Sequence, residues 1–90
     1  MAAGNMQTPR VVPIVSNTIV PLTTLMTRKE VRIKITGANG IEISPDKDFA
    51  AGTGFPIATT DAPYRDEASG NNIYARSLTG STAVVVLEFS

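Results

Sequence analysis

Three short stretches hold residue types that could do chemistry. Asp46-Lys47-Asp48 opens like a calcium-binding loop, in which alternating oxygens converge on one cation. The pattern then fails. Ala50 and Ala51 stand where the next oxygen ligand and the sharp-turn glycine belong, and no bidentate glutamate closes the loop. A solvated turn is the better reading. Gly52-Thr53-Gly54 could present backbone N–H groups to a phosphate, but no third glycine and no Lys-Ser/Thr pair follows, and no helix is in place to add its N-terminus. It reads as a bend. Asp66 and Glu67 are adjacent carboxylates, and in a strand neighbouring side chains point to opposite faces, so they cannot share an acid/base task.

What is missing narrows the chemistry further. The chain has no histidine and no cysteine, which removes the usual general base, the usual zinc ligands and any disulfide. Its many serines and threonines would need a lysine or an N-terminal amine to become nucleophiles, and no motif supplies either. The expectation is a non-enzymatic protein with no catalytic residue, no metal and no cofactor. Arg28, Lys29, Arg32 and Lys34 form a modest basic cluster without interleaved aromatics, so no direct contact with nucleic acid is expected. Exposed Tyr64 and Tyr74 with Asn71 and Asn72 could suit a sugar, and the loop tips at residues 52–55 and 69–72 could contact a host glycan. With no tryptophan to stack on a sugar, packing and turn roles are preferred.

The elements that would position these residues are short. Ninety residues make one domain at most, near the lower limit for unaided folding. Acidic and basic residues balance overall but not along the chain. Residues 1–34 hold five basic residues against one acidic, and residues 35–90 hold three against seven. No apolar run approaches the length of a membrane span, and the N-terminus lacks the basic and apolar regions of a signal peptide, so the expectation is a soluble protein made in the cytoplasm.

No window keeps apolar residues at helical spacing over three turns, whereas several alternate with period two. Val31, Ile33 and Ile35 alternate with Arg32, Lys34 and Thr36, the pattern of a half-buried strand. Ile41-Glu42-Ile43 is a short strand, Phe55-Pro56-Ile57-Ala58 a brief one with an aromatic anchor, and residues 64–68 a polar one. Residues 73–78 and 82–89 are expected to form a hairpin around Thr79-Gly80-Ser81. Its second strand is apolar on both faces, with Ala83, Val85, Leu87 and Phe89 on one and Val84 and Val86 on the other. Such a strand must be covered on both sides, by its own fold or by a neighbouring chain. This makes Val84, Val85, Val86, Leu87 and Phe89 the candidate core or oligomer interface.

The segment before residue 23 is apolar but cut by Pro9, Pro13 and Pro21, which fits an edge strand, an extended arm or both. Twelve extended residues reach about 40 Å, so an arm would lie on another molecule. Arg10, Val11, Val12, Ile14, Val15, Ile19, Val20 and Leu22 are its candidate partner interface. The expected architecture is thus all-β, a small β-sandwich or jelly-roll-like barrel of about six strands, with an extended N-terminal arm at 1–22 and the β-domain at 23–90.

From residue 28 onward the order of signals is itself distinctive. Arg28-Lys29 leads into the alternating strand, Ile41-Glu42-Ile43-Ser44-Pro45 follows, then Gly54-Phe55-Pro56-Ile57, and finally Ile73-Tyr74-Ala75-Arg76 with Ala83-Val84-Val85-Val86-Leu87-Glu88. This resembles the small all-β virion proteins of tailed bacteriophages. The resemblance implies a capsid decoration or cement subunit, located on the virion and made in the host bacterial cytoplasm. It further implies a homotrimer that binds the major capsid or another virion protein. An attachment, fibre-base, neck or tail accessory module is the alternative.

Overall fold

The strictest alternation in the chain forms the middle of a sheet. In the computed structural model, which describes residues 8–23, 30–67 and 72–89, Val31, Ile33 and Ile35 are buried while Arg32, Lys34 and Thr36 face solvent. The strands are β1 (Arg10–Ile14), β2 (Val20–Pro21), β3 (Glu30–Ile35), β4 (Ile41–Ser44), β5 (Phe55–Ile57), β6 (Tyr64–Asp66), β7 (Tyr74–Arg76) and β8 (Thr82–Phe89). Among the described residues there is no helix. The chain is all-β, as its periodicity implies.

Two four-stranded antiparallel sheets form, one in the order β1-β8-β3-β6 and the other β2-β7-β4-β5. The pairings nest: β4 with β5, β3 with β6, β2 with β7 and β1 with β8, so the strands describe one long hairpin rolled up on itself. Two further pairings, β3 with β8 and β4 with β7, close each sheet. Between the sheets lies one core. Val12, Ile14, Val31, Ile33, Ile35, Val84 and Val86 come from the first sheet; Leu22, Ile41, Ile43, Ile57, Ile73 and Ala75 come from the second.

The hairpin expected over residues 73–89 does not form. Strand β7 pairs with β2 and β4, whereas β8 pairs with β1 and β3, and residues 77–81 carry the chain from one sheet to the other. Ladder length explains the outcome. Against the three residues of β7, most of the eight-residue β8 would be unpaired, but between β1 and β3 it has five partners on one side and six on the other. The crossing is held by buried Ser77, whose hydroxyl donates to the Gly80 carbonyl, and by the Asn39 side-chain amide, which donates to the Ser81 carbonyl at 3.0 Å.

The expected arm is likewise folded onto its own chain over residues 10–22. Val12 and Ile14 enter the core from β1, and Leu22, just beyond β2, is fully buried. Asn17 turns the chain between the two strands in the left-handed region, at φ 56°, and its N–H donates to the Ser77 carbonyl at 2.6 Å. The edge-strand half of the expectation holds, and proline explains it. The four edge strands are β1, β2, β5 and β6; the first three contain Pro13, Pro21 and Pro56, and Pro63 immediately precedes the fourth. The four inner strands contain none. A proline has no N–H for a new ladder, so each edge resists pairing with another chain. Residues 1–7 of the expected arm, the Arg28-Lys29 corner and the turn at 69–71 lie outside the described residues.

Candidate interaction face

The two faces of β8 set up the site. Val84 and Val86 point inward and are at most 1% exposed, while Ala83, Val85, Leu87 and Phe89 point outward and are half-buried. Register places Val11 beside Val85 and Pro13 beside Ala83 on one flank. On the other flank Lys34 lies beside Val85, and Arg32 beside Leu87. The outer face of the first sheet therefore carries an apolar stripe running from β1 across β8, with a cationic border on β3. At its open end Val11 is 69% and Val15 61% exposed. Toward β6 a depression of about 190 Å³ is lined by Arg32, Ile33, Lys34, Pro63, Val85 and Leu87.

The cationic border is held by the chain's own groups. Register sets Arg32 directly opposite Arg65; Arg32 Nε donates to Glu30 Oε2 at 2.6 Å, and Arg65 Nε forms an ion pair with the same oxygen at 3.1 Å. Glu30 itself is only 1% exposed. Two like charges side by side on a sheet repel, and the shared carboxylate offsets that. Arg65 also pairs with Glu67, Arg32 lies 5.1 Å from the Phe89 ring centre, and Lys34 Nζ donates to the Asp61 carbonyl at 2.8 Å. With these groups so engaged, the apolar stripe remains as the surface with unmet demand.

The interface expected for residues 10–22 divides in two. Val12, Ile14 and Leu22 belong to the core and cannot serve a partner, because every second residue of a strand faces inward. Val11 and Val15 are exposed, and Ile19 and Val20 are half-buried. Arg10 turns back on the body: one nitrogen donates to the Leu22 carbonyl at 2.6 Å and to buried Glu88 at 3.0 Å. Of the candidates on β8, Val84 and Val86 are core, and Val85, Leu87 and Phe89 lie on the outer stripe.

The second sheet shows what residue patterns did not reveal. Glu42, on the outward side of β4, is nevertheless buried. The loop over residues 45–54 folds across it, and the Glu42 carboxylate accepts from Gly52 N–H at 2.9 Å and Gly54 N–H at 2.7 Å. The Gly-x-Gly bend thus does cradle an anion, but one supplied by its own chain. Glycine is required at 54, where a Cβ would come within 2.8 Å of the Ile43 carbonyl, and Gly52 sits at φ +84°. Phe49 anchors the loop at 4% exposure, with the Arg76 guanidinium 5.0 Å from its ring centre. Phe55, the expected aromatic anchor, is instead 61% exposed. A glutamate between two core isoleucines, with paired glycines ten and twelve residues on, was the available signal.

The remaining candidates are ordinary turns and surfaces. At Asp46-Lys47-Asp48 the Asp48 N–H donates to Asp46 Oδ1 at 2.9 Å, and Lys47 pairs with exposed Asp48. Among the described residues no group of three or more acidic side chains gathers as a metal site would. A concavity of about 380 Å³ between β4, β5 and Leu78–Thr79 has Glu42 in its wall, and that carboxylate is already held by two amides. Tyr64 and Tyr74 do not share a surface. Tyr74 lies on the outer side of the second sheet, opposite inward-facing Ala75, while Tyr64 packs against the core. Set against known protein families, curated proteins and solved structures, the chain matches none.

Proposed function

We propose that this chain is a non-enzymatic structural subunit of a phage virion, a decoration or cement protein that assembles through the outer face of its first sheet. The observation that carries the reading is the apolar stripe of Val11, Pro13, Ala83, Val85 and Leu87. On a sandwich meant to stay alone those outward positions would be polar. The proline-marked edges leave little room for growth by strand addition, so face-to-face packing is the favoured mode. A homotrimer closes such a face without leaving an open lattice, and the major capsid or another virion protein takes up what the trimer leaves uncovered. Burying roughly 400 Å² of the stripe gives a gross gain of about 10 kcal/mol, most of it offset by the cost of association, so several copies acting together are needed for tight attachment.

The strand order supports a finer description of the fold. A hairpin rolled so that the first strand lies beside the eighth and the third beside the sixth has the order of a jelly roll, an architecture used by capsid and lectin domains. That support is by analogy of fold and does not identify a partner. The grip moves accordingly from an arm to a sheet face. Sedimentation of the purified chain is expected to give a trimer, and Val85→Asp a monomer with unchanged β-sheet circular dichroism. A wild-type chain that stays monomeric at high concentration, and leaves particles lacking it undecorated when added back, overturns the reading.

A further inference from the structure

On the side of the sandwich away from β1 and β2, the edges β5 and β6 come from different sheets, and Phe55 and Tyr64 meet across the gap. Their ring centres are 5.9 Å apart and their planes tilted by 48°. Ring and edge close one side of a cleft of about 160 Å³, room for about five waters. Ile43 and Ile73 line it with apolar surface, while Asp66 and Asn72 bring a carboxylate and an amide to the same space; Ser44 also lines it, its hydroxyl accepting from the Asp46 N–H at 3.1 Å. Burial raises the Tyr64 phenol above its ordinary range, and the nearby Asp66 carboxylate, by its charge and as an acceptor, adds to the shift.

The geometry points to a binding site for one neutral pyranose ring, resting its apolar C–H face on Phe55 and Tyr64 and directing its hydroxyls to Asp66 and Asn72. Four observations select this class. Two rings at 48° form a shallow V that a puckered ring fits, whereas a flat base would want a flat platform. The polar groups both donate and accept, as vicinal hydroxyls require. Among the described residues no cationic side chain lines the cleft and one carboxylate does, which disfavours an acidic sugar. A peptide adding to either edge meets Pro56 or Pro63. The volume limits recognition to a single ring and the affinity to the millimolar range, so avidity from several copies would supply any useful strength. This site lies away from the apolar stripe and goes beyond the assembly reading.

The test is an NMR titration of the full chain with methyl glucoside, methyl galactoside, methyl mannoside and N-acetylglucosamine, with sialic acid as the anionic comparison. At least one neutral sugar is expected to shift signals of Phe55, Tyr64, Asp66 and Asn72 at millimolar concentration, with no response to sialic acid. Phe55→Ala is a safe variant because the side chain is mostly exposed. It is expected to weaken binding about tenfold, the factor that corresponds to losing roughly 60 Å² of buried apolar contact. Asn72→Ala, also exposed, should weaken it several-fold. The proposal is overturned if no neutral sugar moves these signals at tens of millimolar, if sialic acid binds as well, or if binding is unchanged in both variants. A change in oligomer mass on Phe55→Ala without sugar binding also overturns it, since Phe55 would then be a protein contact. Sedimentation of the wild-type chain reports separately on assembly.

Discussion

Removing residues 1–15 is expected to destabilise this protein by several kcal/mol. The cut takes away β1, with Val12 at 8% and Ile14 at 1% exposure, each worth about 1.5–3 kcal/mol of burial. It also removes Arg10, which bonds the Leu22 carbonyl and buried Glu88; its own partial exposure discounts that contribution to about 1 kcal/mol. The five ladder partners on β8 lose their neighbours, but their modest net hydrogen-bond gain is largely offset by the entropy of ordering β1. The sum is about 4–7 kcal/mol. A domain of this size has about 5–13 kcal/mol in total, so toward the lower end of that range the truncated chain sits near or below its unfolding midpoint at room temperature. Far-ultraviolet circular dichroism with urea titration measures this directly. Ile14→Ala gives the graded version, a loss of about 2–5 kcal/mol. A truncated chain with full β-sheet signal and a cooperative transition within about 1 kcal/mol of the intact protein would refute the reasoning and return residues 10–14 to the status of an arm.

Three further outcomes follow from single contacts. Val86→Asp places a carboxylate in the core at a site 1% exposed, costing several kcal/mol and abolishing the folded signal, whereas Val85→Asp on the half-buried outer face stays within about 1 kcal/mol of wild type in urea at protein concentrations where both are monomeric. Glu42→Ala removes two charge-assisted bonds to Gly52 and Gly54 and should cost about 2–4 kcal/mol, with Glu42→Gln, which keeps one acceptor oxygen, in between; amide exchange at both glycines should rise in step. Tyr64, its neutral form favoured by burial and by Asp66, should ionise above the ordinary value of 10.0. Because its folded pKa is raised, its contribution to stability is full below pH 10.0 and is lost as pH climbs from there through the folded value. Phenolate absorbance should accordingly show a late component that Tyr64→Phe removes.

Sequence alone determined the class and the facing of the strands. Alternation with period two is a local property, fixed by the pleat, so Val31, Ile33 and Ile35 could be assigned inward, and Val84 and Val86 separated from Val85 and Leu87, without any partner being known. The prolines carried edge information for the same reason, since a missing N–H disqualifies a central position wherever the strand lies. Pairing is different. Arg10 meets Val86 and Val20 meets Ala75 because a rolled, nested order gives β8 and β7 partners on both sides, and no local signal encodes which distant strand supplies the ladder. The turn residues Thr79-Gly80-Ser81 therefore looked like a hairpin loop and instead span two sheets. Tertiary structure alone also decided the fate of the charged and aromatic side chains. Glu42 is buried because a loop ten residues later folds over it, and Phe55 reaches Tyr64 because the edges of two sheets happen to adjoin. Periodicity says which way a side chain points; only packing says what it meets there.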